Sequence, residues 1–91
     1  MTVLALPDRI DLGAVSALHA ALDPVTTGPT VIDASTVSHL GALGVQLLVS
    51  AALSARACGH SLTITPRSDA FDEALIRFGI SIDDLQNTEA A

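Results

Sequence analysis

Apolar and polar positions alternate along this chain with two different periods, and the switches between them mark its elements. Residues 2–6 form a short apolar run stopped by Pro7, which predicts a first strand. Asp11 then precedes Leu12, Val15, Leu18 and Leu22, a series at helical spacing that ends before Pro24. This predicts a first helix with Asp11 as its N-cap, because a short carboxylate ahead of the first turn accepts hydrogen bonds from amides that otherwise lack partners. The Thr27-Gly28-Pro29 turn leads into Thr30–Ala34, where adjacent Val31 and Ile32 both favour burial and suit a central strand.

The longest periodic stretch follows. Leu43, Leu47, Leu48, Val49, Ala51, Ala52, Ala55 and Cys58 recur at three and four residues, and Gly59 supplies the stop. The alanines let this helix lie close to a sheet. Residues 60–65 alternate again, with Leu62 and Ile64 on one face; Pro66 ends the strand, and Ser68 or Asp69 caps a third helix that runs to Phe78. Gly79 closes that helix, and Ile80, Ile82 and Leu85 pack the segment after it. The order is β-α-β-α-β-α, and right-handed crossovers make this an α/β domain with a small, mostly parallel sheet and helices packed on it. The loops at residues 7–11, 33–44 and 66–69 then converge at the carboxyl ends of the strands, where such folds take ligands or partners.

Composition narrows the picture. With 91 residues, 49% of them hydrophobic and 2% aromatic, the chain closes one small core of aliphatic and alanine side chains. Phe71 and Phe78 are its only aromatics. A core of this kind leaves a small stability margin, to which a partner or a second copy can add. The formal charge is −6, lysine is absent, and Arg9, Arg56, Arg67 and Arg77 are scattered. This pattern argues against nucleic acid as a partner and against direct binding to an anionic membrane, while leaving a protein with a basic patch open. The single cysteine, Cys58, gives neither an internal disulfide nor a metal-binding pair and is expected as a small buried hydrophobe. The chain shows no basic segment leading into a long apolar run and no stretch of the roughly 20 apolar residues that a membrane span needs. A soluble cytoplasmic protein is the expectation.

Candidate chemistry concentrates in residues 33–48, where an apolar strand ends, a loop turns and a helix starts at glycines. Gly41 and Gly44 allow a backbone or an anion to approach the helix start, although ordinary turn chemistry outweighs a phosphate cradle for glycines at this spacing. Asp11 and Asp33 both follow strands and stand at the same end of the sheet. Helix capping by Asp11, and loop-amide binding by Asp33 with Ser35, outweigh an acid–base pair there. His39 has no second histidine or paired acid near it in sequence, and His19 and His60 lie whole elements away, so no metal or cofactor is expected.

Three segments give the chain a resemblance to a known family: Asp8-Arg9-Ile10-Asp11 opening the first helix; Asp33-Ala34-Ser35-Thr36-Val37 followed by Gly44-Val45-Gln46-Leu47-Leu48; and residues 62–79 with Pro66 and the closing Phe78-Gly79-Ile80. Together they resemble a STAS domain, the fold of anti-sigma-factor antagonists and of the cytoplasmic tails of sulfate transporters. The resemblance covers residues 2–85 and leaves residues 86–91 as an expected disordered tail. It implies a non-enzymatic protein-interaction module in bacterial signalling, with no catalytic residues.

Two departures from the family pattern bear on function. Phosphorylatable members carry Asp-Ser-Ser or Asp-Ser-Thr before the helix glycine, and the first hydroxyl residue takes a phosphate from a partner kinase. Here those positions are Gly41, Ala42 and Leu43, so Ala42 stands at the phosphoacceptor position; Ser38, the nearest alternative, lies outside it. Family members also carry additional strands at their ends, so a sheet edge is expected to stay open for a partner strand or a second copy, giving a homodimer. The expected partner-binding surface comprises Asp11, Thr36, Ser38, His39, Leu40, Gly41, Ala42, Leu43 and Gly44, with Leu40 and Leu43 supplying exposed apolar area. Its partner is an anti-sigma factor or kinase, a chemotaxis or two-component signalling protein, or the nucleotide-binding subunit of a lipid transport ABC complex. The competing class is a small-anion-binding or enzymatic flavodoxin-like domain.

Overall fold

The computed structural model describes residues 2–87. The chain runs through β1 (Thr2–Ala5), β2 (Arg9–Ile10), α1 (Val15–Ala21), β3 (Thr30–Ala34), β4 (His39–Leu40), α2 (Ala42–Cys58), β5 (Leu62–Arg67) and α3 (Asp69–Arg77). The main sheet has the order β1-β3-β5 and is parallel throughout, with β3 in the centre as its adjacent apolar residues predict. Strand order follows chain order in one direction, so right-handed crossovers place α1 and α2 on the same face. The register agrees with a one-sided core. Leu4, Ile32 and Ile64 align across the sheet; Ile32 and Ile64 are fully buried and Leu4 packs against the core. Val3, Val31 and Thr63 align on the opposite face, where Val3 is 67% exposed.

α2 is the main helical support. Gly44, Val45, Leu48, Ala51, Ala52 and Ala55 are buried at helical spacing, and small side chains bring the helix axis close to the sheet. Gly59 ends it at φ 72°, a left-handed conformation that costs a glycine little. α3 starts at Ser68, whose Oγ accepts from the Phe71 amide at 3.1 Å, and it buries Phe71, Ala74 and Leu75.

Several expectations from the sequence require correction. Asp11 does cap the first helical segment, but that segment begins with a 3-10 turn, Leu12–Ala14, before α1. The tighter winding turns Leu12 off the apolar stripe and leaves it 77% exposed. A second 3-10 turn, Asp23–Thr26, takes Pro24 within it and buries Val25. Pro66 does not end the third strand, which continues to Arg67; β5 is an edge strand, where a missing N–H costs no ladder bond. Cys58 is exposed, because at the last residue of α2 the apolar stripe has run past the sheet.

Gln86 and Asn87, expected as part of a disordered tail, are instead bound to β5. Asn87 exchanges two backbone hydrogen bonds with Leu62, at 2.8 and 2.9 Å, and its Nδ2 donates to the His60 carbonyl at 2.7 Å. Gln86 Oε1 accepts from the Ile64 amide at 2.8 Å. These bonds close the outer edge of β5 with the chain's own residues. Residues 88–91 of the expected tail lie outside the described residues.

Candidate functional site

The segments at residues 7–11 and 33–44, expected as loops, pair with each other. Arg9 aligns with His39 and Ile10 with Leu40, making a separate two-stranded parallel sheet of β2 and β4. The Asp8 carbonyl accepts from the Ser38 and His39 amides at 2.7 and 3.3 Å and from the Ser38 hydroxyl at 3.3 Å. The Gly41 amide donates to the Ile10 carbonyl at 2.8 Å, and the Thr36 hydroxyl donates to the Leu6 carbonyl at 3.3 Å. Ile10 lies five residues past the end of β1 and Leu40 six past the end of β3, so unequal offsets from two paired strands hide this pairing in the sequence.

That pairing corrects one site residue. Leu40, expected as exposed contact area, is 3% exposed, and Ile10 beside it is fully buried. The two side chains form a floor on which the first turn of α2 rests. Gly44 makes the contact possible: a Cβ there would stand 2.5 Å from Ile10 Cγ2 and 3.0 Å from Leu40 Cδ1. A Cβ on Gly41 would stand 3.2 Å from the Ile10 carbonyl oxygen. Both glycines therefore have a packing role.

Ile10, but not Leu40, also lines a shallow hollow of about 200 Å³ at the start of α2. Asp11, His39, Gly41, Ala42, Leu43 and Gly44 all line it, so most of the expected surface residues do come together. Thr36 and Ser38 instead secure the flanking loop through the bonds just described. Leu43, 44% exposed, keeps its expected place on the rim. Leu12 lines the hollow as well and was missed, since its helical spacing marked it as a core residue.

The electrostatics are simple. α2 has Gly41 at its N-cap with no side-chain hydrogen bond and no acidic residue in its first turn, so its partial positive charge is left without a side-chain complement. Asp11 Oδ1 accepts from the Gly13 amide at 3.1 Å, and Oδ2 lies 3.8 Å from Arg9 Nε, an exposed pair that contributes little. Asp33 Oδ1 accepts from the Ser35 hydroxyl at 2.6 Å and from the Ser35 amide at 2.9 Å. The hydroxyl first and the amide second hold the Asp33 carboxyl below its ordinary value of 3.8. Each aspartate thus serves its own loop. Among the described residues, no group of three or more His, Cys, Asp and Glu side chains is placed to hold a metal ion, and no helix is long and apolar enough to cross a membrane.

Residues 1–86 match the family model described as "Mlab, STAS domain". The match spans nearly the whole chain, which therefore belongs to the STAS domain family, and its α/β architecture of three helices on a small parallel sheet agrees with that assignment. STAS domains mediate protein–protein interactions. Comparison with curated proteins returned no match. Comparison with solved structures returned none either.

Proposed function

We propose that this chain is a non-enzymatic, cytoplasmic STAS module of bacterial signalling that docks a protein partner over the hollow at the start of α2. The observation that carries this reading is the rim of that hollow. Leu12 is 77% and Leu43 44% exposed, and both line the hollow together with Ile10, Gly41, Ala42 and Gly44, in a domain that otherwise buries most of its leucines. Exposed apolar area around a small concavity, with Asp11 beside it, suits an aliphatic side chain flanked by a basic residue on the partner.

Docking here is not governed by phosphate on this chain. Residues 41–43 are Gly-Ala-Leu, with Ala42 at the family's phosphoacceptor position, and the Ser38 hydroxyl is engaged with the Asp8 carbonyl. The module is anti-sigma-factor antagonist-like in type but lacks the switch of that cycle. A second reading, the STAS subunit of a lipid transport ABC complex, gains support from the same missing hydroxyl and from a family description that carries the name Mlab.

Incubation with an anti-sigma kinase and ATP, followed by intact-mass analysis, tests the switch. Unchanged mass is the expected result, and a phosphate on residues 36–44 overturns it. Affinity capture from lysate with the wild type and with Leu43→Asp tests the surface: loss of a specific protein from the variant supports it, and retention of every captured protein removes it.

A further inference from the structure

A different surface of the domain, the β1 edge of the main sheet, is exposed along one side. The two edges of the main sheet are treated unequally: β5 is closed by Asn87 on its outer side, whereas no strand of the described residues pairs with the outer side of β1. Thr2 and Leu6 turn their amides inward, donating to Pro29 and Asp33 carbonyls at 2.9 Å each. Main-chain groups alternate sides along a strand, so the N–H and C=O of Val3 and Ala5 point out along the free edge. β1 also borders an apolar cleft of about 340 Å³, lined by Leu4, Leu6, Ala14, Ala17, Ala21 and Leu22 among others.

We infer that β1 pairs antiparallel with β1 of a second copy of this chain, joining two three-stranded sheets into one of six strands. Three observations select a second copy as the occupant. The first is hydrogen-bond register: with the two-fold axis at Leu4, Val3 faces Ala5 of the other copy and Ala5 faces Val3, so all four outward amides and carbonyls of each such pair are satisfied. The second is size, since each exposed valine meets a small alanine, and the two Leu4 side chains meet at the mouth of the cleft.

The third is charge. The chain carries −6 overall, yet residues 2–7 and 12–22, which supply β1, α1 and the cleft, contain no charged residue. Two copies of an acidic protein repel wherever carboxylates face each other. Within these two segments no carboxylate faces the other copy, Asp8, Asp11 and Asp23 lying outside them, and a partner selected by charge finds nothing in them to pair with. The two-fold axis is normal to the sheet, so both α1 helices lie on the same face, and Ala14, Ala17 and Ala21 allow them to approach closely.

Sedimentation equilibrium of the full chain up to about 1 mM, combined with amide hydrogen exchange at several concentrations, tests the pairing. The expected result is a reversible dimer in which the Val3 and Ala5 amides gain protection as concentration rises. Val3→Pro removes one outward N–H and leaves the inward Thr2 and Leu6 amides in place. It should weaken dimerisation at least about tenfold with an unchanged circular dichroism spectrum. A wild type that stays monomeric, a dimer in which Val3 and Ala5 remain unprotected, or equal dimerisation of folded Val3→Pro overturns the inference. Should Val3→Pro fail to fold, the exchange pattern of the wild type decides alone.

Discussion

α3 opens at Ser68, whose Oγ accepts from the Phe71 amide while its proton goes to the Val37 carbonyl, and Asp69 and Asp72 lie in its first turn. α2 opens at Gly41, with no capping side chain and no acid in its first turn. α3 follows β5 of the main sheet and α2 follows β4 of the two-stranded sheet, yet only α3 meets the needs of its terminus from within the chain. The α2 start instead keeps its electrostatic demand beside exposed Leu12 and Leu43. On the proposed function, the α2 end left open beside an apolar rim is the one offered to a partner.

The sharpest way to break this contrast is to separate the floor of the α2 site from its rim. Leu40→Asp places a carboxylate in a position 3% exposed and should cost about 3 kcal/mol or more in urea unfolding. Leu43→Asp, three residues on, should stay within about 0.5 kcal/mol of the wild type. If both variants unfold alike, the rim belongs to the core and the docking surface is lost.

Gly44→Ala probes the join between floor and helix. The added Cβ meets Ile10 Cγ2 at 2.5 Å, so overpacking of about 1–3 kcal/mol outweighs the roughly 1 kcal/mol that alanine gains as a helix former. A lower melting temperature is expected, and an unchanged or higher one means that the β2–β4 pair yields easily. Ser68→Ala and Ala42→Ser compare the two helix starts directly. Loss of the Ser68 cap should cost about 1 kcal/mol. A hydroxyl at exposed position 42 should change stability by less than about 0.5 kcal/mol.

The smallest expected effect concerns Asp33. Its carboxyl sits below the ordinary 3.8 because Ser35 donates to it, so it is the ionised form that the fold favours. That contribution is present above pH 3.8 and is lost as pH falls through the lowered folded value. In Ser35→Ala the hydroxyl bond is gone, and an NMR titration should find the Asp33 pKa moved back toward 3.8. No movement would assign the shift to the amide alone.

Much of the main sheet was legible because its strands are apolar runs bounded by Pro7, Gly28 and Gly59, and because β3 carries two adjacent β-branched residues. The middle of the α2 stripe, Leu48, Ala51, Ala52 and Ala55, was clear from its spacing, whereas Leu43 and Cys58 at its ends are exposed and buried Val45 lay outside the expected stripe. The β2–β4 pair was not, since two-residue strands carry no periodicity and their hydrogen bonds run between segments about 30 residues apart. That omission explains the misplacement of Leu40, which looked like a loop residue and is a floor residue. Leu12 erred in the other direction, because a 3-10 turn breaks the phase of a helical stripe that sequence spacing takes as continuous. Asn87 was hidden for a related reason, as a single bridge and one side-chain amide leave no pattern.

The central claim is that the open start of α2 is the docking surface, and photo-crosslinking in the cells of origin tests it most directly. A crosslinking residue is placed at Leu43 and, in a second strain, at Ile76, which is 78% exposed on α3. The expected result is a discrete protein adduct from position 43 and none from position 76. An adduct from position 76 with none from position 43 contradicts the account.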